Sequence, residues 1–382
     1  MIALGLTWDH PRGRNALEEA ARRANAGRAE PLIDWAVQPL EGFESAPIAE
    51  LCAARDLVVM DHPHIGEAVA EGVLIPLEDL FRPEQLAIWE AEAVGPSLSS
   101  YRWEGRTWAL PLDVACQVTA RRPDRVAAPT TWAEVAETAR EGRTTLSLAG
   151  PHAVLTLMSM AAGEGHWAKG ADWLADDAFA EAYGRMRALH ALGPAGTEDM
   201  NPITLLHAMT TGKEIDLVPL VFGYVTYARA DGPGGRLAFT DPPRAPGGAG
   251  GVLGGTGIAF SRRSRPSPDM LAHVADLMAP ATQAGLLADH GGQPSARTAW
   301  TDAGVNAAAG GFYAGTLASA ETAFLRPRFD GFIAFQTAAA ALLREALATG
   351  AAAAPTLAAI RAEWRAARAA ARGPLDDDRG PT

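Results

Sequence analysis

Four apolar residues in a row, Leu57-Val58-Val59-Met60, constrain the fold more than any other stretch. A strand with one wet face alternates apolar and polar residues. An unbroken short run instead fits a strand covered on both faces, as in a parallel sheet flanked by helices. The preceding residues agree. Residues 2–8 read as a first strand. A helix follows, with Asn15 and Glu18 framing a start that resembles a capping box and Leu17, Ala20, Ala21 and Ala24 on its apolar face. Gly27 suits its stop, and residues 33–37 read as a second strand. Strand, helix, strand, short helix is the βαβ rhythm of a parallel sheet. Ligands in open parallel sheets sit off the carboxyl ends of the strands. Trp8-Asp9-His10 and Asp61-His62-Pro63-His64 both occupy such ends.

Further along, the signals are mostly helical. Thr131 and Glu134 form the ends of a capping box, with Trp132 against the first turn. Ser267 caps another helix. Pro268 sits at its first position, Leu271, Val274, Leu277 and Met278 share a face, and Pro280 ends it. Residues 178–192 and 355–372 read as helices, the latter with Leu357, Ile360 and Trp364 on one face, and residues 217–222 as a buried strand. The tail from Gly373 is polar and acidic, and its end is expected to fray.

At 382 residues the chain is long enough for two domains. A net charge of −12 argues against nucleic acid and anionic membrane as partners. No apolar run reaches membrane length. The two cysteines, Cys52 and Cys116, are far apart and in no CxxC pair, so neither a disulfide framework nor a thiolate zinc site is expected.

Several phrases resemble the family 1 extracellular solute-binding proteins, the sugar receptors of ABC importers. The densest is Gly250-Gly251, Leu253-Gly254-Gly255, Ser261, Ser264, then Gly291-Gly292-Gln293-Pro294 and Arg297. Others are Gly72 to Pro76 with Leu77 and Leu80; Gly105, Trp108, Ala109, Leu110 and Pro111; Pro129 to Glu134; and Arg326-Pro327-Arg328-Phe329 with Phe332, Phe335 and Gln336. The resemblance implies an α/β, two-lobed periplasmic-binding-protein-like fold of type II, with a ligand cleft between discontinuous lobes. The expected lobes are residues 1–110 plus 257–301, and 111–256 plus 302–382. It also implies capture of a small polar ligand, a carbohydrate or organic acid, by hinge closure. One departure stands out: Thr256 follows Gly255 where the family often has Trp.

The ligand-binding candidates are Trp8, Asp9, His10, Asp61, His64, Asp113, Gln117, Tyr224, Gly255, Thr256 and Arg328. Aromatic faces suit the C–H surfaces of sugars, and planar polar groups suit hydroxyls. Arg12, Arg326 and Arg328 add positive charge, although Arg326 could simply bond carbonyls. A second reading is an enzyme on the same fold, with Asp9, His10, His62 and His64 in acid–base roles, because histidine titrates near neutral pH. It would perform isomerase or lyase chemistry without a cofactor. A third is a ligand sensor. A histidine at a strand end, however, often only caps the next helix. His152 and His290 read as loop or helix-end residues. No metal is expected, because His62 and His64 flank a proline and point apart. The chain opens Met1-Ile2-Ala3-Leu4, which reads as the first strand itself. A cytoplasmic location is therefore expected, with a periplasmic one, and an ABC permease as partner, the alternative if a signal segment has been removed.

Overall fold

The computed structural model describes residues 2–232 and 234–375. Met1, the acidic end of the tail from Asp376 onward, and the outer ends of the expected lobes lie outside the described residues. The strands, in chain order, are β1 (Ala3–Trp8), β2 (Ile33–Gln38), β3 (Leu57–Met60), β4 (Arg102–Trp103), β5 (Arg106–Thr107), β6 (Leu110–Arg121), β7 (Leu217–Phe222), β8 (Ala238–Thr240) and β9 (Leu253–Phe260). β4 and β5 make a small hairpin. The rest form a sheet in the order β2-β1-β3-β9-β6-β7, with β8 also on β6. β1 pairs in parallel with β2 and β3, whereas β9 runs antiparallel to β3 and to β6.

The run Leu57–Met60 behaves as its composition requires. All four residues are buried. Successive side chains on a strand point to opposite faces. Leu57 and Val59 accordingly enter one apolar cluster, with Leu17, Leu110 and Phe260. Val58 and Met60 enter another, with Ala259 and the helix His152–Gly163.

β6 and β9 carry the architecture. The first part of β6 pairs with β9, from Leu110 opposite Ile258 to Cys116 opposite Leu253. From Gln117 onward it pairs with β7, and from Thr119 with β8. The chain thus reaches its second half along a single strand of 12 residues. The expected lobe boundary between residues 110 and 111 falls at the start of this strand. β9 runs through Gly254 and Gly255, so the glycine-rich phrase is itself strand.

Helix ends bear out the local chemistry with one correction. Thr131 and Glu134 make both bonds of a capping box. Ser267 accepts from the Met270 N–H, and its helix stops at Leu277, ahead of Pro280. The first helix, however, is Pro11–Asn25, so Asn15 lies inside it. His10 takes the cap position and Pro11 the first turn, where its missing N–H costs nothing. No helix among the described residues is long and apolar enough to cross a membrane.

Candidate functional site

Three strand ends meet at one open cavity. Trp8 ends β1, Asp61 follows β3, and Phe222 ends β7. All three line the cavity, together with Arg12, Leu40, Phe43, Ala115, His152, Pro202, Tyr224 and the segment Gly254-Gly255-Thr256 of β9. The cavity thus lies at the strand ends that the carboxyl-end rule singles out. Of the candidates, Trp8, Asp61, Tyr224, Gly255 and Thr256 belong to the lining.

The β1 end is an aromatic stack. Trp8 is buried, and the His10 ring lies on it at 5.2 Å and 8°. Tyr224 meets His10 edge-on at 5.0 Å. His10 Nδ1 accepts the Arg12 N–H at 3.1 Å, which leaves the ring proton on Nε2. Burial, then the charges of Arg12 and Arg14, push the His10 pKa down to about 3. His10 is therefore a neutral cap at physiological pH and a poor general base. Asp9 is exposed and ion-paired with Arg14.

Arg12 is the main residue whose role the sequence reading missed. Its side chain is buried between Trp8 and Tyr224, with the guanidinium carbon 5.8 and 4.7 Å from the two rings. Nε donates to Asp113 Oδ1 at 2.9 Å, and Nη2 to Asp113 Oδ2. Nη1 donates to the Gly223 carbonyl at 3.1 Å. Asp113 also accepts the Gln293 N–H at 3.0 Å. The Gln293 side chain in turn bonds Val114 O and the Val225 N–H. The Gly-Gly-Gln-Pro turn thus locks the middle of β6. The available signal for Arg12 was its position, four residues past the end of β1 and next to Pro11.

Asp61 forms the other charged point. Oδ2 accepts from Arg326 Nη2 at 2.6 Å, and Oδ1 from the His62 N–H at 2.8 Å. Burial alone would raise its pKa, but Arg326 and His62 outweigh that and hold it well below the usual carboxylate range. The rest of the Asp61–His64 run disperses. His62 is buried edge-on to Tyr101, and burial together with Arg326 lowers its pKa to about 4. His64 is buried with Nδ1 3.9 Å from Glu67. Pro63 faces a separate surface groove. His10, His62 and His64 are not among the residues that line the cavity.

Two further candidates are built into the scaffold. Gln117 is fully buried. Its Oε1 accepts from Ser159 at 2.6 Å and its Nε2 donates to Thr156 at 3.3 Å, which ties β6 to the helix His152–Gly163. Arg328 donates to the carbonyls of Ser99, Ser100 and Arg102 at 3.0–3.1 Å. Arg326 bonds Leu253 O and Gln336 besides Asp61. His152 does begin a helix, as its context implied, but it also lines the cavity, edge-on to Phe222 at 5.8 Å. Among the described residues no three His, Cys, Asp or Glu side chains converge as metal ligands would.

Solved structures share this architecture. The solute-binding protein of an Agrobacterium radiobacter ABC transporter, in complex with ribitol, aligns over 96% of this chain and 98% of its own at 17% identity, with a TM-score of 0.79. The acarbose-binding GacH receptor of Streptomyces glaucescens aligns over 97% and 99% at 15% identity, with a TM-score of 0.78. Maltose-bound MalE3 of T. maritima aligns over 95% and 98% at 17% identity, with a TM-score of 0.77. The fold is therefore the two-lobed one expected. No curated protein matches the sequence significantly. The bacterial extracellular solute-binding protein model matches residues 50–269, more than half of the chain, and the chain belongs to that family.

Proposed function

We propose that the interlobe cavity captures an uncharged polyhydroxylated ligand, a sugar or sugar alcohol, without chemical change. The observation that carries this reading is the balance of charge at the cavity. Trp8, Phe43, Phe222 and Tyr224 supply apolar faces, while both charged lining residues arrive already neutralised: Arg12 by Asp113, and Asp61 by Arg326. An anionic ligand entering this cavity would lose hydration without gaining a free counter-charge. The carbohydrate half of the expected ligand class is thus better supported than the organic-acid half. Asp61 has lone pairs left for hydroxyl donors, since each oxygen can accept more than one bond. The ligands of the three related structures, ribitol, acarbose and maltose, are of the same chemical class.

Closure would bend β6 and β9, where pairing changes partners between Cys116 and Gln117. The lobes proposed remain residues 1–110 plus 257–301 and 111–256 plus 302–382. An ABC permease is the natural recipient of a captured ligand in this family. The acid–base alternative has weak support, because His10 and His62 titrate far below neutrality and lie off the cavity wall.

Calorimetry with sugars, sugar alcohols and short dicarboxylates tests this. Saturable binding of an uncharged compound with no product by NMR is expected. Tighter binding of a dicarboxylate, or turnover, would sink the proposal.

A further inference from the structure

The seat of Arg12 has the chemistry of a cation receptor. Two aromatic faces lie within the roughly 6 Å over which a ring attracts a cation, and a carboxylate engages the guanidinium through two of its nitrogens. The Gly223 carbonyl supplies a further acceptor at 3.1 Å. Such a set of rings and acceptors is what recognises guanidinium and alkylammonium ligands. Here a side chain of the protein fills it. Arg12 also stands between two cavities. It lines the ligand cavity and, with Thr256, a second, small void of about 20 Å3, walled by Ala16, Leu17, Val59, Leu112 and Leu287.

We propose that Arg12 is a specificity-determining residue: it occupies a built-in cation seat at the floor of the cleft and thereby keeps cationic solutes out of a site meant for uncharged ones. This deepens the function proposed above and rests on it for the identity of the excluded competitors. The seat itself is defined by this geometry alone. Deleting the Arg12 side chain joins the two spaces, leaves Asp113 without its partner, and creates room and charge for a small organic cation. Deleting the Asp113 charge does the reverse, leaving the guanidinium unbalanced and open to an anion.

The test is chemical rescue in the full-length protein. Arg12→Ala is titrated with methylguanidinium chloride at millimolar concentration, against sodium chloride of equal ionic strength, and its Tm is followed. The expected result is a rise of several degrees in Arg12→Ala, as for a ligand bound at about 100 times its Kd. Wild type should show no rise, and neither should Arg12→Ala combined with Asp113→Asn. An equal response of wild type and Arg12→Ala, or rescue that survives in the double variant, overturns the proposal. Should Arg12→Ala fail to fold, Asp113→Asn decides. Millimolar sulfate should then raise its Tm above the ionic-strength control while leaving wild type unmoved, and equal responses overturn the proposal. No sugar is needed for either readout. A failed rescue therefore leaves sugar binding standing, and a missing sugar response leaves the seat standing.

Discussion

Asp61 and Arg326, 265 positions apart, meet in a largely buried 2.6 Å ion pair, and Asp61 lies on the wall of the cavity. The same guanidinium holds Leu253 O on β9 and Gln336 on a C-terminal helix. Removing one charge from such a pair leaves the other buried and unbalanced. Asp61→Asn should lower unfolding stability by about 3 kcal/mol, read from urea denaturation. It should also weaken sugar binding by about tenfold or more, roughly 1.4 kcal/mol, through loss of an ionised acceptor. Unchanged affinity in a folded Asp61→Asn protein would remove Asp61 from the site.

Acid should destabilise the protein before its carboxylates titrate. His10 and His62 have folded pKa values lowered to about 3 and about 4, by burial first and by neighbouring arginines second. Well above pH 6.5, beyond about pH 7.5, both groups are neutral whether the chain is folded or not, so they contribute no pH dependence. Between pH 6.5 and 4 the unfolded chain takes up protons that the folded one refuses. Stability therefore falls as pH falls, by at most about 1.4 kcal/mol per pH unit for each histidine. Urea midpoints measured from pH 7 to 4.5 should show this slope. His10→Asn, which keeps a capping side chain, should reduce it by His10's share and leave that of His62.

Gly255 should resist substitution where a positive-φ glycine in open space, such as Gly105, does not. Its φ is +105°, and an added Cβ would sit 2.1 Å from the Asp113 carbonyl oxygen. Gly105 also has positive φ, +75°, but nothing lies within 4 Å of its missing Cβ. Gly105→Ala should cost only the backbone term of about 1–2 kcal/mol. Gly255→Ala should cost more than that and distort the β6–β9 pairing next to Thr256. Equal denaturation midpoints for the two variants would show that the contact relaxes freely.

The Thr131 cap offers a control remote from the ligand. Thr131→Ala breaks one half of the capping box and leaves Glu134 bonded to backbone. A loss of about 1 kcal/mol with unchanged sugar affinity is expected. A change in affinity would mean that this helix is coupled to the cleft.

Much of the fold was legible because its signals are local. The run Leu57–Met60, the caps at Thr131 and Ser267, and the βαβ rhythm each sit within a few residues of one another. The strand-end rule likewise placed the cavity beside Trp8 and Asp61. The site was only partly legible because its assignments are pairwise and distant. Arg12 becomes a cleft residue through Asp113, 101 positions away. His10 is withdrawn from chemistry by a cap that depends on the helix starting at Pro11 rather than near Asn15. Gln117 and Arg328 carry the polar groups of ligand contacts, yet their partners are Ser159, Thr156 and three carbonyls that no spacing rule reveals.

The 12-residue strand β6 has a consequence for how this protein can be divided. Its first part completes the sheet of β1, β3 and β9, and its last part is the rail on which β7 and β8 assemble. β9 returns to it after more than a hundred intervening residues. A gene fragment ending anywhere between β6 and β9 would therefore lack the strand that fills the middle of the sheet. Complementary fragments, rather than separately expressed halves, are the route to a divided version, and reassembly of β9 onto β6 would itself report that they had met.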